Sequence, residues 1–193
     1  MLQVILDVET KKTFEEVGGY FPDRLGISFV GVCVREGSGK GEMQGFFEAD
    51  LPNLFPLLER ADVLIGFNID GFDMQTLVPY YTGDITRIPT LDLMVRIKNS
   101  IGHRIGLDAV AKETIGAGKT GDGLDAIKYY QTKQFDKLRD YCLQDVAVTR
   151  DVYDVGLKKG AVKFRNKWNR LIDCPVDFTF TPKKDAGVQM SLL

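Results

Sequence analysis

The chain has 193 residues, 44% hydrophobic and 27% charged, enough to bury one core of ordinary size. Its net charge of −2 argues against a uniformly basic nucleic-acid binder, and its single histidine, His103, excludes any site that needs two imidazoles. Three cysteines, Cys33, Cys142 and Cys174, lack Cys-x-x-Cys spacing and read as small buried hydrophobes rather than a disulfide framework or a thiolate zinc site.

No apolar run approaches the roughly 18 to 20 residues that span a membrane, and Met1 leads into an apolar strand without a basic leader. A cytoplasmic protein with no membrane contact is expected. Strands are predicted at Val4–Leu6 and Gly26–Val34, followed by a glycine-rich turn, Gly37–Gly41, and a third strand at Glu42–Glu48. A helix is predicted at Leu51–Arg60, then an apolar strand at Asp62–Phe67. The turn Asp70-Gly-Phe-Asp73 leads into a helix, and Ile88–Met94 reads as another short strand. From Gly106 the pattern turns helical: Leu107, Val110 and Ala111 share a face, a helix follows at Leu124–Tyr130, and a long one runs from Asp136 to Val155. Strands early and helices late predict a mixed α/β domain.

The acids carry the chemistry. Asp7 and Glu9 close the first strand and, two residues apart, point to the same side of it. Asp73 sits at a strand-to-helix turn, where open α/β sheets place ligands. Asp145 interrupts the apolar stripe Leu138, Tyr141, Cys142, Val148, Thr149, Val152 of the long helix. A carboxylate on a buried face is costly unless paired, hydrogen-bonded or bound to metal. Converging acids are reconciled by divalent cations, and oxygen ligands suit Mg²⁺ or Mn²⁺. Tyr141 lies one helical turn before Asp145 and projects to the same place. Taken singly, each has an ordinary reading: a loop pair, a helix cap, a partner for a distant arginine, a core tyrosine.

Taken together, Asp7-Val8-Glu9, Asn68 to Phe72-Asp73, and Tyr141 to Asp145 resemble the three motifs of the DEDD exonuclease superfamily in its tyrosine branch, in order and spacing. The similarity extends over about residues 1 to 170. It implies a ribonuclease-H-like fold: a five-stranded mixed sheet, three antiparallel strands followed by two parallel ones, flanked by helices. It also implies removal of nucleotides from a 3′ end with two ions, Mg²⁺ or Mn²⁺. Asp7, Glu9, Asp73 and Asp145 become the metal ligands, Asp7 shared by both ions, and Tyr141 orients the attacking water. Thr10, Asn68 and Phe72 are candidate substrate contacts, with Asn68 equally open to a role in positioning the turn. The only histidine stands far from the position that an imidazole takes in the histidine branch, so His103 is assigned a structural or substrate-proximal role.

Phe14, Phe72 and Tyr20-Phe21 either stack on bases or close a core. Gly116-Ala-Gly-Lys-Thr120 fails the phosphate-loop pattern, because Glu113 stands where a glycine is required, and reads as a connector. Lys158, Lys159, Lys163, Arg165, Lys167 and Arg170 form a basic run after the long helix, either a solvated helix end or a phosphate contact. Residues 1–182 are read as the exonuclease domain and 183–193 as a mobile tail. Within the tail, Gln189, Met190, Ser191, Leu192 and Leu193 resemble the peptide that docks bacterial proteins on the sliding clamp. The expected partner is therefore single-stranded nucleic acid, DNA ahead of RNA, with the clamp as a second. The competing readings are a non-catalytic binding module of the same fold and a structure-specific endonuclease.

Overall fold

The computed structural model describes residues 1–118 and 123–181. Five strands, β1 (Leu2–Thr10), β2 (Ile27–Glu36), β3 (Glu42–Phe47), β4 (Val63–Gly66) and β5 (Thr90–Asp92), form one sheet in the order β3-β2-β1-β4-β5. β1 to β3 pair antiparallel, and β4 and β5 join parallel to β1. This is the five-stranded mixed sheet that the sequence resemblance implies.

Alternation along β1 divides the core. Val4, Leu6 and Val8 face a layer that includes α1 (Leu51–Arg60) and α2 (Asp73–Leu77). Ile5 faces the opposite layer, built from α3 (Leu93–Ile101), α4 (Leu107–Ile115) and α6 (Phe135–Lys159). α5 (Gly123–Gln131) closes a smaller cluster with Phe29 and the first turns of α6. Gln3, Asp7 and Glu9 share the parity of Ile5, so these three polar residues point toward the face that α6 covers.

α6 runs antiparallel to β1. Gln3 Nε2 donates to the Tyr153 hydroxyl (3.4 Å) near the strand's start, and Cys142 Sγ donates to the Asp7 carbonyl (3.5 Å) near its end. Four strand steps span about 13 Å and eleven helical steps about 16 Å, so one register satisfies both contacts. Gly31, paired with Asp7 across the strands, permits this approach. A Cβ there would lie 2.9 Å from Cys142 Sγ and 3.1 Å from Val146 Cγ2. The helix can rest on the strand only because this residue has no side chain.

Two elements depart from the sequence expectations. The strand expected at Ile88–Met94 is confined to Thr90–Asp92, and α3 begins at once, its first turn capped by Asp92, which accepts from the Val95 N–H (3.1 Å). The basic run is not a solvated helix end. Only Lys158 and Lys159 end α6, at Gly160 (φ 66°); Lys163 and Arg165 belong to β6 (Ala161–Arg165), which pairs with β7 (Leu171–Pro175) in a second, two-stranded sheet, and Lys167 and Arg170 lie in the turn between them. Val162, Phe164 and Cys174 bury this hairpin in the cluster that covers α4 and α6. Among the described residues no helix is long and apolar enough to cross a membrane. The tail, with Gln189 to Leu193, and residues 119–122 of the glycine-rich connector lie outside the described residues.

Candidate metal centre and nucleic-acid cleft

A cleft of about 470 Å³ opens where β1 and its parallel neighbour β4 present their carboxyl ends, as expected of a parallel arrangement. Asp7, Glu9, Thr10, Phe72, Asp73 and Tyr141 all line it. Six residues separated by up to 134 positions of sequence are thus brought to one surface by the crossing of β1, α2 and α6.

Asp73 is positioned by a vacancy in the sheet. β4 pairs with β1 only as far as Ile5↔Ile65 and ends at Gly66, so on that edge the β1 backbone beyond has no strand beside it, while β2 stays paired on the other. Asp73 fills the gap, its Oδ1 accepting from the Val8 N–H at 2.9 Å. The second motif is thereby fastened between the two acids of the first. Burial, then the neighbouring charge of Asp7, pushes the Asp73 carboxyl well above the usual carboxylate range, against the lowering effect of the Val8 amide.

The third motif arrives on α6. Tyr141 is 6% exposed and lines the cleft, whereas Asp145, one turn further, is 1% exposed. Cys142 lies between them, its Sγ 3.7 Å from Asp7 Oδ2. Burial pushes this thiol well above its ordinary range, and the charges of Asp7, Glu9 and Asp145 push it further. Asp145 therefore belongs to the same electrostatic cluster as the β1 acids. Cys142, read from sequence only as a buried hydrophobe, is buried but stands in this cluster.

The donor set fits a divalent cation. Asp7, Glu9 and Cys142 each offer a ligand atom, and these atoms lie within 4.8 Å of one another. Asp73 shares the field of Asp7 and is costly to ionise without added positive charge. Carboxylate oxygens suit a hard cation such as Mg²⁺ or Mn²⁺.

The remaining candidates separate. Phe72 lines the cleft, as does Phe14, which contacts the Phe72 ring edge-on at 6.0 Å. Tyr20 stacks on Phe14 at 4.7 Å, and its hydroxyl donates to the Gly71 carbonyl (2.8 Å), tying the loop after β1 to the second motif. Phe21 instead lies under the Arg24 guanidinium. Asn68 is not a lining residue. It adopts φ 69°, a left-handed conformation that asparagine tolerates, and its Oδ1 accepts from Arg104 Nη2 at 2.6 Å. It shapes the turn that delivers Asp73. His103 is exposed, with its ring 6.3 Å from that of Phe164, and does not line the cleft.

Asp92 and Arg104 escaped sequence reasoning. Buried Asp92 accepts from the N–H groups of Asn68 (3.0 Å) and Asp70 (3.2 Å), as well as Val95, and so holds the second-motif loop to the start of α3. Burial raises its carboxyl despite these three bonds. An Asp directly before an apolar helical turn was an available N-cap signal.

The family model of the RNase H superfamily matches residues 4–156, a span that contains all three motifs. No curated protein matches the chain. Among solved structures, the family B DNA polymerase from the hyperthermophilic archaeon Pyrobaculum calidifontis is similar, with a TM-score of 0.57 at 18% identity, over 82% of this chain and 24% of that one. The chain thus spans about a quarter of that polymerase's length, and the likeness is one of fold.

Proposed function

The chain belongs to the RNase H superfamily, and from that premise we propose that it is a metal-dependent 3′ to 5′ exonuclease hydrolysing phosphodiester bonds at single-stranded ends, DNA in preference to RNA. The observation that carries the reading is the convergence of Asp7, Glu9, Asp73 and Tyr141 on one cleft, with Asp145 buried behind Tyr141. A spacing coincidence in sequence would not by itself bring three separate elements to one point.

In this reading Asp7, Glu9, Asp73 and Asp145 hold two ions, Mg²⁺ or Mn²⁺. Such ions, when bound, supply an activated water and offset charge on the entering and leaving oxygens of an in-line displacement. The protein's part is placement. The Val8 amide locks one oxygen of Asp73, so that carboxylate is oriented before any ligand arrives. The Tyr141 hydroxyl orients the attacking water by hydrogen bonding. Phe14, Phe72 and Leu124 give the cleft an apolar wall for the terminal nucleotide, and Lys12 on the same lining offers a cation to phosphate. Residues 1–182 make up the nuclease domain, and Gln189 to Leu193 dock on a sliding clamp, a part of the proposal that rests on the sequence alone.

The test is a time course on 5′-labelled single-stranded DNA and RNA with Mg²⁺, Mn²⁺ or chelator, run beside Asp73→Ala. A metal-dependent ladder shortening from the 3′ end, absent in the variant, is expected. Oligonucleotide products from internal cuts would assign an endonuclease. A folded protein that binds strands but cuts none under any metal would assign a binding module.

A further inference from the structure

The hairpin that follows the family-matched region carries its own chemistry. At its tip Arg165-Asn-Lys-Trp-Asn-Arg170 holds the chain's only tryptophan, Trp168, which is 70% exposed. The tip is built rather than loose. Asn166 Oδ1 accepts from the N–H groups of Trp168 (3.0 Å) and Arg170 (3.1 Å), and the Asn169 N–H donates to the Asn166 carbonyl (2.8 Å). Asn169 takes φ 57°, and its carbonyl accepts from Arg165 Nη1 at 3.0 Å. A side chain on such a turn is presented at little entropic cost.

Charge around the tip is sorted. Lys163 is matched by Asp173 (3.5 Å) and Arg165 by Glu113 (3.0 Å). Lys167 and Arg170 form no ion pair among the described residues, and the Lys167 ammonium lies 4.5 Å from the centre of the Trp168 ring. An exposed indole between two available cations matches the chemistry of single strands, whose bases offer stacking faces and whose backbone offers phosphates. It suits an acidic or apolar protein surface less well, because neither uses all three groups.

The hairpin is anchored to the frame of the cleft. Thr114 of α4 both accepts from the Lys163 N–H (2.9 Å) and donates to the Lys163 carbonyl (3.1 Å). Just before α4, Arg104 holds Asn68 of the second motif, and the segment after α4 leads into α5, whose Gly123 and Leu124 line the cleft.

We propose that the β6–β7 tip is a second contact for single-stranded nucleic acid, Trp168 stacking on a base and Lys167 and Arg170 meeting phosphates of the strand whose end occupies the cleft. The proposal rests on the nuclease reading for what the cleft holds. It makes grip on a long strand separable from chemistry at its end.

The full chain in chelator, where no strand is cut, provides the test, with Trp168 as its own fluorescent probe. A long single-stranded oligothymidylate should quench Trp168, and a thymidine trinucleotide should not. By anisotropy of the labelled long strand, Trp168→Ala should weaken binding about tenfold, and Trp168→Tyr should restore most of it. Lys167→Gln with Arg170→Gln should reduce the slope of log affinity against log salt by about 1.4, two phosphates at about 0.7 each. Trinucleotide cleavage with metal should be unchanged in every variant. Cleavage by the wild type, with equal long-strand affinity in Trp168→Ala and no quenching, would overturn the inference and leave the nuclease reading standing. No cleavage under any metal, with quenching and the tenfold loss intact, would remove the nuclease reading and keep the strand contact. Quenching by anionic lipid vesicles but not by strands would overturn it in favour of a lipid surface.

Discussion

The two ends of β1 bury polar groups against the same helix and treat charge in opposite ways. At the start, Arg35 on β2 is 4% exposed, donates to Gln3 Oε1 (2.9 Å) and grips Asp154 of α6 through both Nη1 (2.9 Å) and Nη2 (2.6 Å). Cation and anion are both drawn from the chain, and the bidentate geometry offsets much of the desolvation. At the other end, Asp7, Glu9, Asp73 and Asp145 gather, and the Asp7 charge raises Asp73 on top of its burial. The first cluster locks the helix to the sheet. The second spends that rigidity on holding like charges together, which makes sense for a site that receives a cation.

The sharpest test of this contrast is Asp73→Asn, which keeps the Oδ1 acceptor for Val8 but removes the charge. Cleavage should fall by about a thousandfold or more, comparable with losing a principal electrostatic group. Stability should move the other way. Because the folded-state pKa of Asp73 is raised, the native chain holds this proton more tightly than the unfolded chain. Metal-free wild type should therefore lose stability as pH rises from the ordinary carboxylate range through the raised value. Melting curves in chelator across that window should show the decline in wild type and its loss in Asp73→Asn. A wild type that gains stability from this group with rising pH would break the comparison.

Gly31→Ala tests the helix placement shared by both ends. Its Cβ would press on Cys142 and Val146, costing about 1–3 kcal/mol and, by shifting Tyr141 and Asp145, up to about a hundredfold in rate. Unchanged melting and turnover would mean that α6 need not sit so close. A smaller effect is expected of Tyr141→Phe: about tenfold in the chemical step, read by single-turnover kinetics, with melting unaltered. Arg35→Gln should be silent in the rate constant of the folded enzyme. It should cost on the order of 2 kcal/mol in urea unfolding, less than the 3–5 of a fully buried pair because the Asp154 side chain is 36% exposed. A rate loss there matching that of Gly31→Ala would show that the two ends are not separate.

α1 appears at its predicted residues, and the strands of the main sheet fall within a few residues of expectation, because alternation and glycine turns are short-range signals. Asp145 stood out because an acid inside an apolar helical stripe is anomalous in sequence. The hairpin did not, although Ala161–Arg165 alternates buried and exposed side chains, because its charges dominate the pattern and a strand exists only through its partner, here β7 across the 166–170 turn. Asn68 was recognised as a motif residue, but its left-handed turn and its bond to Arg104 depend on a residue 36 positions away.

The sequence by itself determined the α/β alternation, the identity and order of the candidate site residues, and the resemblance that joins them, since each is a matter of residue type at fixed short spacing. Only the tertiary structure decided which of them share a surface. It placed Asp73 in the gap that β4 leaves beside β1, brought Cys142 against Asp7 across Gly31, put Asn68 in the turn rather than in the cleft lining, and raised Trp168 on a hairpin. Those outcomes depend on desolvation and on contacts between distant segments, which form only when the whole chain has packed.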